Sequence, residues 1–299
     1  MNTEVDHFLT LKRTVHSKVD NTIKYVFSRR DDSVMELSYI NKNDGKDIIC
    51  VPCQTMCNLG CKFCQATDYI GKIQTKPIMG VEISEAIRYI YNDLNLIANP
   101  KTLLVSFMGM GEPTLNSKNV IDAMMLIKCE YENIYTRFAF ATSLPDFLVV
   151  EFFEMARLIK FHNLPVKLHI SLHYTNDELR KEWMPKALDI KSTLAAANFY
   201  KVFTGNPVEI HYALISGVND SYSDAAELAH LLKKTGFNVK FLLYNEKKSL
   251  EAHASDIEKF KSFRSILDMS ESIDSEYYIP PGSDIGSSCG AFLMDEYIV

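Results

Sequence analysis

The chain has 299 residues, of which 47% are hydrophobic and 23% charged, and its formal net charge is -6. That composition is globular and excludes a disordered tail, a collagen-like chain and a mini-scaffold held by disulfides. No run approaches the roughly 18 apolar residues of a membrane span, and the polar start MNTEVDHFLT lacks a signal peptide's apolar core, so the expected address is the cytoplasm.

Residues 1–46 read as an extension with a small β element, Lys24–Phe27 and Met35–Ile40 around the turn-like Arg30-Asp31-Asp32-Ser33. From residue 47, short β-branched runs alternate with amphipathic segments. Strands are expected at 47–52, 102–107, 136–141, 166–171, 208–213 and 238–243. Between the first two, Ile83, Ile87, Ile90, Leu94 and Ile97 recur at helical spacing over 83–98. Over 255–269, Ser255 and Glu258 form a capping box ahead of Phe260, Phe263 and Leu267. Six strand-then-helix units imply a parallel α/β sheet with right-handed crossovers. Periodicity alone fits a partial (β/α)6 barrel and a flat doubly wound sheet equally. In the barrel, Lys167, His169, Ser171 and His173 would face the lumen, and Val166, Leu168, Ile170 and Leu172 the helices. The barrel would span 47–250, and a helix, a strand-like run at 276–279 and a loop would make up 251–299.

The charge is uneven. Residues 251–299 hold ten acidic residues against three basic ones. A dedicated nucleic-acid binder usually advertises a basic arm or face, and the sequence shows neither.

Five of the seven cysteines (Cys50, Cys53, Cys57, Cys61 and Cys64) fall between residues 50 and 64, with Cys129 and Cys289 apart. An odd, clustered count points to metal or redox chemistry. Cys57-Asn-Leu-Gly-Cys61-Lys-Phe-Cys64 has the spacing C-x3-C-x2-C. Three thiolates on a loop after a strand can wrap one side of an iron–sulfur cube, leaving one iron open to a small chelating molecule. The rival reading is zinc, which prefers four protein ligands and would need Cys53 as the fourth. Cys129 reads as a packed thiol and His169 as a hydrogen-bonded interior histidine, while Trp183, Phe199 and Phe203 read as packing.

With Phe63 before its last cysteine, this motif resembles the signature of the radical S-adenosylmethionine (SAM) enzymes. More specifically, the chain resembles the RlmN/Cfr group, which methylates carbon 2 or carbon 8 of adenosine in ribosomal RNA and, for RlmN, also in transfer RNA. The resemblance runs from Ser17 to about Gly290. It passes through SKVDNTIKYVF (17–27), ICVPCQTMCNLGCKFCQAT (49–67), GMGEPTLN (109–116), ATS (141–143), ISLHYTNDELR (170–180), ALISGVND (213–220) and SDIGSSCG (283–290).

The resemblance implies a radical SAM methyltransferase with a 4Fe–4S cluster on Cys57, Cys61 and Cys64. It places SAM at Glu112 and Pro113, with Ser143, Ser171, His173 and Asn245 on the rest of the molecule. Cys289 matches the cysteine that carries the methyl group, Cys50 the thiol that resolves the covalent adduct by forming a disulfide with it, and Glu36 the proposed base. Its partners would be adenosine-containing RNA or a smaller acceptor, and a reductant such as flavodoxin or ferredoxin. A monomer is expected. Cys53 and Leu144 stand where small residues are usual, and three further features depart from the group. Its N-terminal RNA-binding domain has no counterpart, Tyr277-Tyr278-Ile279-Pro280-Pro281 replaces a basic stretch, and Met294-Asp295-Glu296 stands where a basic extension is usual. All three concern the grip on a large polyanion, so RNA and a small nucleotide, natural-product precursor or peptide both stay open. A non-catalytic iron–sulfur or zinc protein would need neither Cys50 nor Cys289.

Overall fold

The computed structural model describes residues 7–269 and 273–297. Ten strands form one sheet in which each pairs with its neighbours in chain order. Strands β1 (Leu9–His16), β2 (Ile23–Arg29) and β3 (Val34–Ile40) run antiparallel, and β3 pairs antiparallel with β4 (Lys46–Cys50). From β4 the sheet continues in parallel through β5 (Thr102–Phe107), β6 (Thr136–Thr142), β7 (Val166–Ser171), β8 (Val208–Leu214), β9 (Asn238–Leu243) and β10 (Ser275–Tyr278). The crossovers carry α1 (Gly80–Asp93), α2 (Ser117–Glu130), α3 (Val149–Phe161), α4 (Asp177–Trp183), α5 (Ile190–Thr204), α6 (Tyr222–Leu232) and α7 (Ile257–Asp268). None of these helices is long and apolar enough to cross a membrane.

Alternation along β7 divides the sheet's two faces as expected. Val166, Leu168 and Ile170 are fully buried in the same core as Phe152, Met155 and Ile159 of α3 and Tyr200 of α5. Each such side chain contributes roughly 1.5–3 kcal/mol. The opposite face carries Lys167, His169 and Ser171.

The parallel strands curl into a partial barrel. In a flat sheet, β4 and β10 would lie six strand spacings apart, about 29 Å. Instead Ile48 and Cys50 of β4 share a cavity with Glu276 and Tyr278 of β10, and Lys42 Nζ sits 4.0 Å from the Tyr278 ring centre. Among the described residues no backbone ladder joins β10 to β4, so the barrel stays open on that side.

Several local expectations are corrected. Strand β1 belongs to the N-terminal element, and the run near 276–279 is a seventh parallel strand of the sheet. The first helix runs Gly80–Asp93, and the backbone turns left-handed at Asn95 (φ 49°). Its early start suits Gly80, where a Cβ would lie 2.7 Å from Ala123 N of α2. The cap of α7 is Asp256, whose carboxylate accepts from Lys259 N at 2.8 Å, while the Ser255 hydroxyl donates to Asp220. Cys129 is exposed rather than packed, because α2 turns it outward. Phe199 and Phe203 stack on each other at 5.1 Å but remain about two-fifths exposed, whereas Trp183 is buried. Glu271 of the acidic C-terminal set lies outside the described residues.

Candidate active site

The loop after β4 is laid across the ends of the neighbouring strands. Val51 N donates to Ser106 O at 2.8 Å and Cys53 N to Met110 O at 2.9 Å. This close approach demands glycine: at Gly111 (φ +108°) a Cβ would lie 2.7 Å from Cys53 Sγ. Cys57, Cys61 and Cys64 then face one cavity of about 180 Å³. Burial pushes the Cys57 thiol up to about 12, reinforced by Cys64, and the Cys64 thiol up to about 11. Burial raises Cys61 well above the ordinary thiol range, with Cys64 and Cys57 adding to it. Three thiolates this close need a cationic centre to stay ionised.

The spacing of the sulfurs bears on which centre fits. Zn–S bonds of about 2.3 Å place sulfurs about 3.8 Å apart in a tetrahedral site. Among the described residues, no three of these cysteines bring their sulfurs within 4.8 Å of one another. Cys53 does not line the cavity, and its sulfur points to Met110 O at 3.7 Å. The arrangement fits a larger polynuclear centre held from one side by three thiolates, and gives the zinc reading no fourth ligand.

Glu112 stands on the far wall. Its backbone N–H donates to Gln54 Oε1 at 2.9 Å, which fixes the turn. One carboxylate oxygen accepts from Thr114 Oγ1 at 2.8 Å, the other from Ser143 N at 3.1 Å and Ser143 Oγ at 3.2 Å. Burial raises this carboxyl, against those donors. Pro113 opens the following 3-10 turn and does not line the cavity, so its part is to shape the turn. Ser171 and His173 complete the wall. His173 takes a left-handed backbone (φ 57°) held by Ala213 N donating to its Nδ1 at 3.0 Å and by Asn219 Nδ2 donating to its carbonyl at 2.7 Å. Such strain in a non-glycine residue persists where surrounding contacts over-determine it.

One supporting residue has no role in the sequence reading. Arg180 of α4 is 1% exposed and donates to Ser143 O at 3.0 Å, Ser171 O at 2.9 Å, Leu188 O at 3.0 Å and also Leu172 O. It ties the ends of β6 and β7 together beneath the two serines. Its only sequence signal is its place at the end of ISLHYTNDELR.

Cys289 lies where two cavities meet. It lines the first with the three cysteines, and a second of about 270 Å³ with Cys50. Its loop is pinned from both sides: Asn245 Nδ2 donates to Cys289 O at 2.8 Å, and Gln65 N to Gly290 O at 3.0 Å. Asn245 therefore lines the first cavity while holding this loop. Burial pushes Cys50 up to about 12, and the nearby Cys289 adds to it. Burial likewise raises Cys289, opposed by Lys240 and Lys42.

Glu36 is placed apart from these groups. It is 4% exposed, pairs with Lys24 at 3.0 Å, accepts from Leu293 N at 3.4 Å and lines neither cavity. It is not the solvated surface residue that its strand position allows. Burial raises its carboxyl, countered by the Lys24 charge.

Comparison with known proteins identifies the family and the fold. The radical SAM superfamily profile matches residues 51–242. A probable dual-specificity RNA methyltransferase RlmN of Dictyoglomus turgidum is 33% identical over 90% of this chain and 75% of that protein. The corresponding protein of Lachnospira eligens is 31% identical over 96% of this chain and 78% of its own length. A crystal structure of a radical SAM methyltransferase from Sphaerobacter thermophilus superposes with a TM-score of 0.83 at 28% identity, covering 95% of this chain and 81% of that one.

Proposed function

The chain belongs to the radical SAM superfamily and, within it, to the RlmN-like methyltransferases, and we propose that it passes a SAM-derived one-carbon unit through Cys289 to an sp2 carbon of adenosine in RNA. The observation that carries this reading is the position of Cys289, shared between the cavity of Cys57, Cys61 and Cys64 and the cavity of Cys50. A 4Fe–4S cluster fits the three thiols and, when bound, supplies the electron that cleaves SAM.

The chain's own residues do the rest. Glu112 offers carboxylate oxygens to an amino group, and Ser143, Ser171 and His173 offer polar atoms to the remainder of SAM. As a thiolate, Cys289 takes a methyl from SAM by displacement at carbon, releasing S-adenosylhomocysteine. Joining that carbon to the acceptor removes one hydrogen atom from the methyl group, which the deoxyadenosyl fragment of a second, cleaved SAM would take, and a proton and an electron from the ring. Cys50 then attacks the Cys289 sulfur. The carbon–sulfur bond breaks as the Cys50–Cys289 disulfide forms, and its electron pair passes to the carbon, which takes a proton to become a methyl group. A two-electron reductant restores the thiols, while a low-potential donor such as flavodoxin or ferredoxin would reduce the cluster. Glu36 and Lys24 keep the Cys289 loop seated, since Lys24 Nζ also donates to Gly286 O at 2.5 Å.

Mass spectrometry tests this directly. Anaerobically prepared protein should carry a methyl group on Cys289, and Cys50→Ala should accumulate acceptor covalently linked there. Full turnover by Cys50→Ala would remove the resolving role.

A second reading keeps the chemistry and changes the acceptor to a free nucleotide or other small molecule. The acidic 251–299 segment favours it. A protein making 6–10 phosphate contacts loses roughly 10³–10⁵ in affinity between 50 and 200 mM salt. Methylation that is flat across that range on short acceptors would select the small one, whereas a steep loss on RNA would select RNA.

A further inference from the structure

Behind the second cavity, the inward faces of β7 and β8 bring together three groups that the methyl-transfer reading leaves without a role. The strand register sets His169 opposite Glu209 and Ser171 opposite His211. All three, His169, Glu209 and His211, are less than 5% exposed, and both histidines line the cavity shared by Cys50 and Cys289. We propose that His169, Glu209 and His211 form a divalent-metal site of the zinc type, with its open positions facing that cavity.

The case is geometric. His169 Nδ1 lies 2.7 Å from His211 Nε2 and 3.1 Å from Glu209 Oε1, and His211 Nε2 lies 3.7 Å from the same oxygen. Zn–N and Zn–O bonds of about 2.0–2.1 Å set tetrahedral ligand atoms about 3.3 Å apart, so the three separations bracket the required value. Among the described residues, this is the one group of three or more such side chains whose ligand atoms all fall within 4.8 Å. Glu209 Oε1 is buried and accepts no well-formed hydrogen bond. Burial lowers both imidazoles, in the direction of the neutral form that binds metal.

Two ammonium groups also contact this carboxylate, and their charge opposes a cation. Lys240 Nζ is 2.9 Å from Glu209 Oε1, and Lys167 pairs with Oε2. Both have somewhere else to go. Lys240 already reaches Glu276 at 2.9 Å, and the Lys167 side chain is 28% exposed. A metal can therefore take Oε1 without stranding a buried charge. Two imidazoles and one carboxylate with vacant positions suit zinc or another first-row divalent ion, and the vacancies face the cavity where an acceptor's ring nitrogen, amine or oxygen would enter.

The site is tested without reference to methylation. Cluster-loaded protein is equilibrated anaerobically with Zn²⁺, desalted, and its zinc and iron measured. The zinc K-edge X-ray absorption is then recorded. About one zinc per chain beyond the iron, with a nitrogen and oxygen shell showing imidazole scattering, is expected. His169→Ala and Glu209→Gln should lose that zinc while keeping their iron. A wild-type chain that retains no zinc, or zinc with sulfur neighbours, overturns the proposal whatever the variants do. In that case the three side chains form only a hydrogen-bonded, lysine-neutralised cluster.

Discussion

Arg180 Nη2 donates to the carbonyl of Ser143 at 3.0 Å, from a guanidinium with almost no solvent exposure. Ser143 is the residue whose N–H and hydroxyl hold Glu112. A buried cation on α4 therefore reaches, through Ser143, the carboxylate that lines the cavity.

Arg180→Ala should uncouple this. It removes the Arg180 donor from the carbonyls of Ser143 and Ser171, while Leu172 O keeps Tyr174 N and Leu188 O keeps the Thr193 hydroxyl. An unsatisfied buried acceptor costs about 1–3 kcal/mol, so a loss of several kcal/mol is expected. Arg180→Lys should recover only part, since an ammonium lacks the planar fork. Denaturant titration and SAM binding report both effects, and unchanged stability in Arg180→Ala would contradict the assignment.

Gly111→Ala tests the close approach beneath Glu112. At φ +108° the added methyl meets Cys53 Sγ at 2.7 Å and Gln54 N at 2.9 Å. Backbone strain and overpacking together predict a loss of about 2–4 kcal/mol and weaker SAM binding, because Gln54 and Glu112 must separate. Wild-type melting and binding would show that the loop yields at no cost.

The thiols should separate by reactivity in protein without a cluster. Only a thiolate attacks iodoacetamide, so a pKa raised by burial slows labelling and makes it climb with pH. Exposed Cys129 should label first at pH 8, and Cys50, pushed up to about 12, at least 100-fold more slowly. The Cys50 rate should rise about tenfold per pH unit between pH 8 and 10. Equal rates, read by peptide mass spectrometry, would mean that Cys50 is not enclosed.

The Lys24–Glu36 pair should hold the Cys289 loop in place. Breaking a buried pair by removing one partner costs about 3–5 kcal/mol. Lys24→Met should therefore destabilise the fold and speed hydrogen exchange over residues 283–297. Glu36→Gln should do so more mildly while still yielding methylated product. Loss of product at unchanged exchange and stability would return Glu36 to the role of base.

How much of this was legible in the sequence follows from the range of each interaction. The alternation of Val166, Leu168 and Ile170 with Lys167, His169 and Ser171 is a local, period-two property, and it was enough to expect parallel strands and an inward polar face. The three cysteines sit within eight residues, so their common target was readable before any fold. Periodicity alone did not separate the barrel from a flat sheet, because curling depends on how β10 approaches β4 across the whole sheet; the barrel was readable only through the resemblance to the radical SAM enzymes. The same holds for Glu36, whose strand position suits water equally well until Lys24, Gly286 and Leu293 close over it. Arg180 was hidden because four of its acceptors are backbone carbonyls on other segments, which leave no mark in side-chain pattern. His169, Glu209 and His211 show the same division: each reads as an ordinary inward residue of its own strand, and only the pairing of β7 with β8 brings their ligand atoms together. Sequence by itself determined the chemistry that lies within one loop and the faces of single strands. Tertiary structure decided every group assembled from distant segments, because register and curvature set those distances and local periodicity does not.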